Sequence, residues 1–278
     1  MNFQQVRNGL MLTVLATGIL ITSCRRNSKI ETNKDSDTEM VKDHYLSEFA
    51  YNDALNIADD GATVNSGDNL GSYKTASNCA TVTHDTLSNP HTMTIDFGGT
   101  NCLCNDGRYR RGIILVTYTG HYRDSGHVHT LTFNNYFVND NQVLGSKSVT
   151  NMGHNTAGNL YYSIVVNGLI IRATTLDSVI WNSNRTRTWI QGESTPVRTD
   201  DVYEITGSGS GSRPNGTSYT MNITQPLVKA VSCSWIESGK IDLQPSNKPL
   251  RKIDYGNTGC DNLATVTINN VTYNITLN

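Results

Sequence analysis

The sequence predicts an all-β fold: an antiparallel meander of ~12–14 strands, arranged as a sandwich or as one extended sheet, with one short helix ahead of it. Composition is the first reason. Thr and Tyr favour strands and Asn and Gly favour tight turns, and the chain has 13 tyrosines and 23 glycines against 6 prolines. Periodicity is the second reason, because apolar residues recur at every second position over most of the chain. Strands and helices do not alternate, which excludes the nucleotide-binding α/β folds.

Length and charge limit the classes of function. The 278 residues are enough for a domain with a substantial hydrophobic core. Charged residues make up 17% of the chain and the net charge is −2, so the composition is neither that of a disordered chain nor that of a basic, polyanion-binding protein. We therefore expect no nucleic-acid partner.

The first 23 residues have the features of a sorting signal. Arg7 supplies one positive charge, and the apolar run at 10–21 is too short to span a bilayer as a helix. The run ends in the sequence ITSC at 21–24, which resembles the bacterial lipobox, in which the cysteine is acylated. Residues 1–23 are therefore predicted to be a lipoprotein signal peptide, with Cys24 as the lipidation site. The alternative is an ordinary secretory signal in which Cys24 has no special role.

The next two segments differ in hydrophobic pattern. Residues 24–42 are polar, mixed in charge and free of periodic apolar residues, so they predict a flexible tether. Residues 43–60 place apolar side chains, Tyr45 and Phe49 among them, at three- and four-residue spacings, and predict the only sizeable helix. The remainder, 61–278, is the predicted β-rich region.

Turn signals separate the predicted strands. At the carboxyl terminus, alternating residues on both sides of Asn269-Asn270 point their apolar side chains to one face, which predicts a hairpin with a type I′ turn. Asn167-Gly168 gives the same kind of hairpin signal. Further turns are predicted at 123–126 and 139–142, and further strands at 92–97, 179–190, 202–207, 218–223 and 239–243.

One short motif occurs twice. The sequences IDFG at 95–98 and IDYG at 253–256 are each followed by three small or polar residues and a cysteine, and each is preceded by another cysteine. A strand is predicted after each copy. We interpret the pattern as an internal duplication with two related units, 79–120 and 233–278.

The repeated motif predicts a structural turn. The letters D-F-G at 96–98 also occur in the magnesium-binding motif of protein kinases, but no glycine-rich phosphate loop, strand lysine motif or catalytic-loop signature accompanies them. We instead expect Gly98 and Gly256 to permit a turn at which Asp96 and Asp254 accept backbone hydrogen bonds. The aromatic residue between them is expected to pack inside.

Five cysteines remain besides the predicted lipidation site, and an oxidising envelope compartment favours disulfides. The spacing favours a pair between Cys233 and Cys260, and a pair between Cys79 and either Cys102 or Cys104, which leaves one thiol unpaired. A zinc site is the alternative, but Cys-x-Cys is not the usual ligand spacing. We expect no metal and no cofactor.

Candidate binding residues are few, and no local catalytic signature is present. His127 and His129 alternate on one predicted strand without an evident third ligand, which favours polar surface residues over a metal site. Arg185, Arg187 and Trp189 share one strand face and are the candidate ligand-binding residues, because guanidinium and aromatic groups can bind a carboxylate or a glycan. An exposed cross-strand ladder explains the same pattern.

Longer segments carry a resemblance to a known group of proteins. The lipobox, the acidic helical leader and the segments TFNNYFVN, NRTRTWIQG and IDYGNTGCDNLATVTINNVTYNITL resemble a group of uncharacterised, β-rich lipoproteins of the Bacteroidetes type. The resemblance covers nearly the whole mature chain. It implies a location in the cell envelope and a β-rich fold, and it carries no activity over to any residue.

These observations favour a lipid-anchored protein of the cell envelope with a binding, adhesion or structural role, rather than an enzyme. The acyl anchor would attach it to a membrane, with the outer membrane as the expected location, and an envelope protein or a glycan would be its partner. The competing hypothesis is an extracytoplasmic hydrolase that acts on glycans, because the paired carboxylates of glycosidases need no local signature. A concave cleft with two carboxylates would favour the hydrolase.

Overall fold

The computed structural model describes residues 35–63, 79–257 and 259–277. The predicted signal peptide, the predicted lipidation site Cys24 and the predicted tether up to residue 34 lie outside the described residues. Within the described part of the chain, no helix is both long enough and apolar enough to cross a membrane.

One helix and fourteen strands make up the described part of the chain. The helix α1 spans Glu39–Thr63. The strands are β1 (Thr81–Asp85), β2 (His91–Asp96), β3 (Cys102–Leu103), β4 (Tyr109–Tyr118), β5 (Val128–Val138), β6 (Asn141–His154), β7 (Leu160–Ile171), β8 (Ser178–Gln191), β9 (Val202–Ser212), β10 (Ser218–Ala230), β11 (Ser238–Pro245), β12 (Arg251–Asp254), β13 (Leu263–Ile268) and β14 (Val271–Thr276). A 3₁₀ turn, Arg198–Asp200, precedes β9.

All strands belong to one antiparallel sheet. Each strand pairs with its neighbours in sequence from β1 to β14, except that β2 pairs directly with β4 and the two-residue β3 pairs only with β4. The meander predicted from the turns is therefore confirmed. Of the two predicted arrangements, sandwich or single sheet, the structure has the single sheet.

The sheet curves around the helix. Helix α1 contacts β2 and every strand from β4 to β9, and Ala50, Tyr51 and Ala54 on its surface are fully buried. At the start of the described chain, Arg251 of β12 donates a 2.6 Å hydrogen bond to the Asp35 carboxylate. The hydrophobic core therefore lies between the helix and the concave face of the sheet.

The helix is longer than the predicted span 43–60. It begins at Glu39, whose N–H donates to the Asp37 carboxylate at 2.9 Å, as in a helix cap. The same carboxylate pairs with Lys248, in the turn before β12. Residues 35–42, predicted as the end of the tether, are therefore tied to the sheet.

The hairpin predicted at Asn167-Gly168 is absent, because both residues lie inside β7. Gly168 pairs with Gly145 of β6 and with Trp181 of β8. The missing side chain makes room for Tyr51 of the helix, since a Cβ at Gly168 would lie 2.2 Å from the Tyr51 hydroxyl. A close approach between helix and strand, rather than a turn, explains the glycine.

The repeated motif forms the same turn twice. Gly98 N donates to the Asp96 carboxylate at 2.7 Å, and Gly256 N donates to the Asp254 carboxylate at 2.9 Å. Both glycines have positive φ angles, 78° and 76°, which suit glycine. The aromatic residue of each copy is buried, and the motif ends β2 in one copy and β12 in the other.

The cysteines form two disulfides. Cys233 pairs with Cys260, as predicted, and Cys79 pairs with Cys102. Cys104 is the free, buried thiol. Of the two partners that the spacing left open for Cys79, the structure has Cys102, which lies on β3 opposite Arg110 of β4.

Candidate ligand-binding site

The predicted binding residues Arg185, Arg187 and Trp189 all lie on the inner face of β8. They alternate with exposed residues, and each is more than 90% buried. Arg185 donates a 2.9 Å hydrogen bond to Glu48 of the helix. The three side chains therefore form no exposed ladder. They belong to the polar part of the space between helix and sheet.

A cleft opens beside the carboxyl-terminal end of the helix. Its volume is about 730 Å³. Ala58 and Ala62 form its helix side, strands β2, β4 and β5 form one wall, and the segment 198–203 forms the other. Ligand sites in proteins have volumes of roughly 300–1,000 Å³, so the cleft has the size of a site for a small ligand.

One wall of the cleft is a row of stacked rings. The His91 ring is 5.4 Å from the Tyr118 ring, and Tyr118 stacks on His129 at 5.6 Å. His129 packs edge-on against Tyr122 at 5.2 Å. Tyr122 in turn stacks on Tyr162 at 4.8 Å. The rings come from β2, β4, β5, β7 and the loop between β4 and β5.

Arginines connect this row to the opposite wall. The Arg187 guanidinium lies 5.1 Å from the Tyr162 ring and 4.5 Å from the Tyr203 ring. Tyr203 packs against Trp189 at 5.4 Å, and Arg123 covers the Trp189 ring at 4.5 Å. Cation–π contacts of this kind hold rings and guanidinium groups in fixed positions. The name aromatic wall is used below for all the rings that line the cleft, on both of its sides. They are His91, Tyr118, Tyr122, His129, Trp189 and Tyr203.

Several polar atoms around the cleft have no hydrogen-bond partner. Within the described residues, His84 Nε2, His91 Nδ1, Trp189 Nε1 and Asp201 Oδ1 are buried and unpaired. Buried polar atoms are nearly always hydrogen-bonded in native proteins, so unpaired ones call for an explanation. A polar ligand in the cleft would provide partners for them.

Asp201 has an unusual electrostatic setting. Burial and the neighbouring Asp200 raise the pKa of its carboxyl to about 6, against the opposing effect of Arg198. The indole N–H of Trp189 lies near this carboxyl, but outside hydrogen-bonding geometry. A second carboxylate, Asp59 of the helix, lines the same cleft and pairs with Arg198 at 3.4 Å.

A separate ion cluster lies under another part of the helix. Asp53 and Asp106 accept hydrogen bonds from the buried Arg110 guanidinium at 2.8 and 2.6 Å. Asp53 is itself buried. The cluster joins the helix to β4, and we assign it a structural role.

His127 and His129, the histidines that alternate on one predicted strand, each contact a polar atom of a neighbouring residue. His129 Nε2 is 3.0 Å from the Gly120 carbonyl oxygen, and His127 Nδ1 is 3.1 Å from the Thr119 hydroxyl. Over the residues that the structure describes, no group of three or more His, Cys, Asp or Glu side chains could hold a metal ion.

Sequence reasoning missed most of the cleft. No short motif contains Tyr118, Tyr122, Tyr203 and Asp201, because they come from different strands and loops. Trp189 was singled out, and alternation along β8 was the signal that identified it. The same alternation in β4 and β9 could have placed Tyr118 and Tyr203 on the inner face.

Comparison with known proteins adds no relative. No protein-family model, no curated protein and no solved structure matches this chain. The fold and the site by themselves define an open antiparallel sheet curved around one helix, with a ligand-sized, ring-lined cleft at the end of that helix.

Proposed function

We propose that the protein is a lipid-anchored component of the cell envelope that binds a glycan in the cleft. The observation that carries the proposal is the aromatic wall beside unpaired buried polar atoms. Sugars present apolar C–H faces that pack on rings, and hydroxyl groups that both donate and accept hydrogen bonds. The cleft offers both kinds of partner.

The binding proposal is tested on the full-length protein in detergent. Tryptophan fluorescence is recorded during titration with chitotriose and, separately, with an oligogalacturonate, as neutral and acidic probes. Tyr118→Ala should weaken the binding of either probe about tenfold or more. Packing of a flat ligand face on an aromatic side chain contributes on the order of 1 kcal/mol or more per ring.

The matched control is Tyr161→Ala. Tyr161 precedes the inward-facing Tyr162 on β7 and therefore lies on the outer face of the sheet. It should bind like the wild type. Equal losses in the two variants, or no response of the wild-type protein to either probe class, would contradict glycan binding in the cleft.

The anchor is a separate part of the proposal and has its own test. Cys24→Ala should move the protein from the membrane fraction to the soluble fraction and abolish incorporation of a labelled fatty acid, since several acyl chains are needed for lasting attachment. Unchanged fractionation and labelling would show that Cys24 is not the lipidation site.

A glycan hydrolase is the second candidate, and Asp201 is the observation that favours it. A carboxyl with a pKa of about 6 can act as a general acid near neutral pH, and glycosidases use such a group together with a second carboxylate. Asp59 lines the same cleft. Release of 4-nitrophenol from 4-nitrophenyl glycosides by the wild type, and its loss in Asp201→Asn, would establish this activity; no release by the wild type would exclude it for these substrates.

A further inference from the structure

A second, smaller cavity lies beneath the middle of the helix and shares Tyr203 of the aromatic wall with the cleft. Its volume is about 50 Å³, roughly four times the 10–15 Å³ that a single water needs. It lies between α1 and the inner faces of β6 to β10. Its polar lining includes Glu48 and Asp59 of the helix and Lys147, Ser183, Arg185 and Arg187 of the sheet.

Two buried cations of this cavity have no carboxylate partner. Lys147 is 1% exposed, and its ammonium donates to the Tyr51 carbonyl at 3.2 Å and to the Asn52 side-chain oxygen at 2.7 Å, both neutral. Arg187 donates to the Tyr122 hydroxyl and contacts rings. Among the described residues, neither cation has a carboxylate oxygen within 4 Å, whereas Arg185 is paired with Glu48.

The same cavity also contains unused hydrogen-bond donors. Ser183 Oγ, Arg185 Nε and Arg187 Nε are buried and have no partner within the part of the chain that the structure describes. All three residues are at least nine-tenths buried and line the cavity. Three donors and two unpaired cations thus surround one small space.

We propose that this cavity binds a small monovalent anion of the size of chloride or bicarbonate. Isolated buried charges are strongly unfavourable unless they are paired, and an anion in the cavity would be the counter-ion of Lys147 and Arg187. It would also accept hydrogen bonds from the Ser183 hydroxyl and the two Nε atoms. Glu48 and Asp59 line the same space and would repel a multivalent anion, which selects for a single negative charge.

The pKa of Lys147 is that of a buried ammonium without a paired carboxylate. Burial and the neighbouring Arg187 lower the pKa of Lys147 to about 7, although Glu48 and Asp59 oppose the shift. An anion beside the ammonium favours its charged form. The site can be tested apart from the glycan-binding proposal, because Lys147 and Ser183 line this cavity and not the cleft, although Tyr203 lines both.

Bromide is the probe for the test. The full-length protein in detergent is unfolded by heat at increasing sodium bromide, with sodium gluconate keeping the ionic strength constant, since gluconate is too large for the cavity. A ligand that binds only the folded state raises the unfolding temperature, and the rise continues with the logarithm of the ligand concentration above the dissociation constant. We expect bromide to raise the midpoint, and chloride, formate or bicarbonate to do the same.

Three variants test whether the stabilisation by bromide arises from binding in this cavity. Lys147→Met removes one unpaired cation, and Ser183→Val removes a donor and fills part of the cavity. Each should weaken the apparent bromide affinity about tenfold or more, as expected when a hydrogen bond to a charged group is lost. The control is Lys252→Met, on an exposed position of β12, which should leave the affinity unchanged.

A crystal soaked in bromide provides the direct readout. The proposal requires an anomalous peak in the cavity, within hydrogen-bonding distance of Ser183 and Arg187. It is overturned if bromide and gluconate give the same midpoint for the wild type, if Ser183→Val keeps the full bromide response, or if the cavity contains only water. Should Lys147→Met fail to fold, the smaller change at Ser183 still decides the question.

Discussion

His44 shows how burial at a single residue links stability to pH. It is 1% exposed, its Nδ1 lies 3.2 Å from the Trp181 indole N–H, and its Nε2 has no hydrogen-bond partner within the described chain. Burial lowers the pKa of His44 to about 4, although Glu48 acts in the opposite direction. The neutral imidazole is therefore the form that fits the fold, with Nδ1 as the acceptor.

Acid should destabilise the protein through this residue. In the unfolded chain the imidazole binds a proton near its ordinary pKa of 6.5, so the unfolded state takes up the proton first. The free energy of unfolding should then fall as the pH drops from about 6.5 to about 4, by up to roughly 3 kcal/mol. Urea unfolding at pH 7 and pH 4.5 measures this change.

The control variant is His44→Asn, which keeps an acceptor for Trp181 and cannot be protonated. Between pH 7 and pH 4.5, the free energy of unfolding of this variant should fall less than that of the wild type. The difference should be most of the roughly 3 kcal/mol that His44 contributes. The pKa of Asp201 is raised to about 6, so its protonation stabilises the folded state as the pH falls from 6 towards its ordinary pKa. This contribution is the same in the wild type and in the variant. Identical pH profiles would mean that His44 is not the group that titrates.

Arg110 illustrates a buried ion pair at the same scale. Its side chain is fully buried between Asp53 and Asp106. Arg110→Met should lower the free energy of unfolding by roughly 3–5 kcal/mol, because the buried Asp53 carboxylate loses its hydrogen-bonded partner and keeps only Arg108 at 3.8 Å. The neighbouring Arg111 pairs with Asp140 at the surface, and Arg111→Met should cost about 1 kcal/mol or less. Urea unfolding compares the two, and similar losses would contradict the assigned role of Arg110.

At the scale of elements, the side chain of Tyr51 is one contact that attaches the helix to the sheet. The Tyr51 hydroxyl donates to the Leu144 carbonyl at 2.5 Å and accepts from Leu169 N at 2.9 Å. Leu144 and Leu169 are opposite each other in the β6–β7 pair. The helix thus bridges two strands through a single side chain, and Gly168 is the residue that leaves space for it.

Gly168→Ala should therefore be strongly destabilising. Its Cβ would lie 2.2 Å from the Tyr51 hydroxyl, so either the helix moves or both hydrogen bonds break, at a cost of about 2 kcal/mol or more. Gly99→Ala is the control, because a Cβ there meets nothing within 4 Å and the backbone is not left-handed. Thermal unfolding of both variants tests the contact, and equal midpoints would show that the helix tolerates the extra methyl group.

The same glycine shows which features a sequence can predict. Asn269-Asn270 and the repeated turns are fixed by residues adjacent in the chain, and their φ angles follow from local chemistry. Asn167-Gly168 has the same local signal, but Tyr51, more than a hundred positions away, decides its structure. The cleft could not be predicted from local sequence for the same reason. Its rings come from separate strands and loops that only the curvature of the sheet brings together.

The start of the helix was missed for a related reason. Asp35 and Asp37 read as part of a polar tether, and nothing in their neighbourhood distinguishes them from other tether residues. Their partners Arg251 and Lys248 lie more than two hundred residues along the chain. A single sequence contains no signal for such pairs, whereas alternation within the strands was enough to predict an antiparallel meander and most of its strands.

At the scale of the whole folded unit, the two disulfides restrain opposite ends of the sheet. They close loops with sequence separations of 23 and 27 residues, and each should contribute about 3 kcal/mol by restricting the unfolded chain. Replacing Cys79 and Cys102 by Ala, or Cys233 and Cys260 by Ala, should each cost about that much. Urea unfolding of the oxidised proteins measures both losses.

The combined variant tests whether the two units act independently. The disulfides share no partners, so the two losses should add to within about 0.5 kcal/mol. A Cys104→Ala variant is the control, because that thiol is unpaired, and it should keep both disulfides. A combined loss far from the sum would mean that the two disulfides interact energetically across the sheet.

The meander also bears on the order in which the chain can fold as it is synthesised. Helix α1 precedes every strand, yet the surface that covers it is supplied by strands that follow one after another as far as β9. Neighbouring strands can pair as soon as they appear, which favours rapid growth of the sheet. The carboxylates at Asp35 and Asp37, in contrast, must wait for β12. The first described residues of the chain are thus among the last to find their native partners.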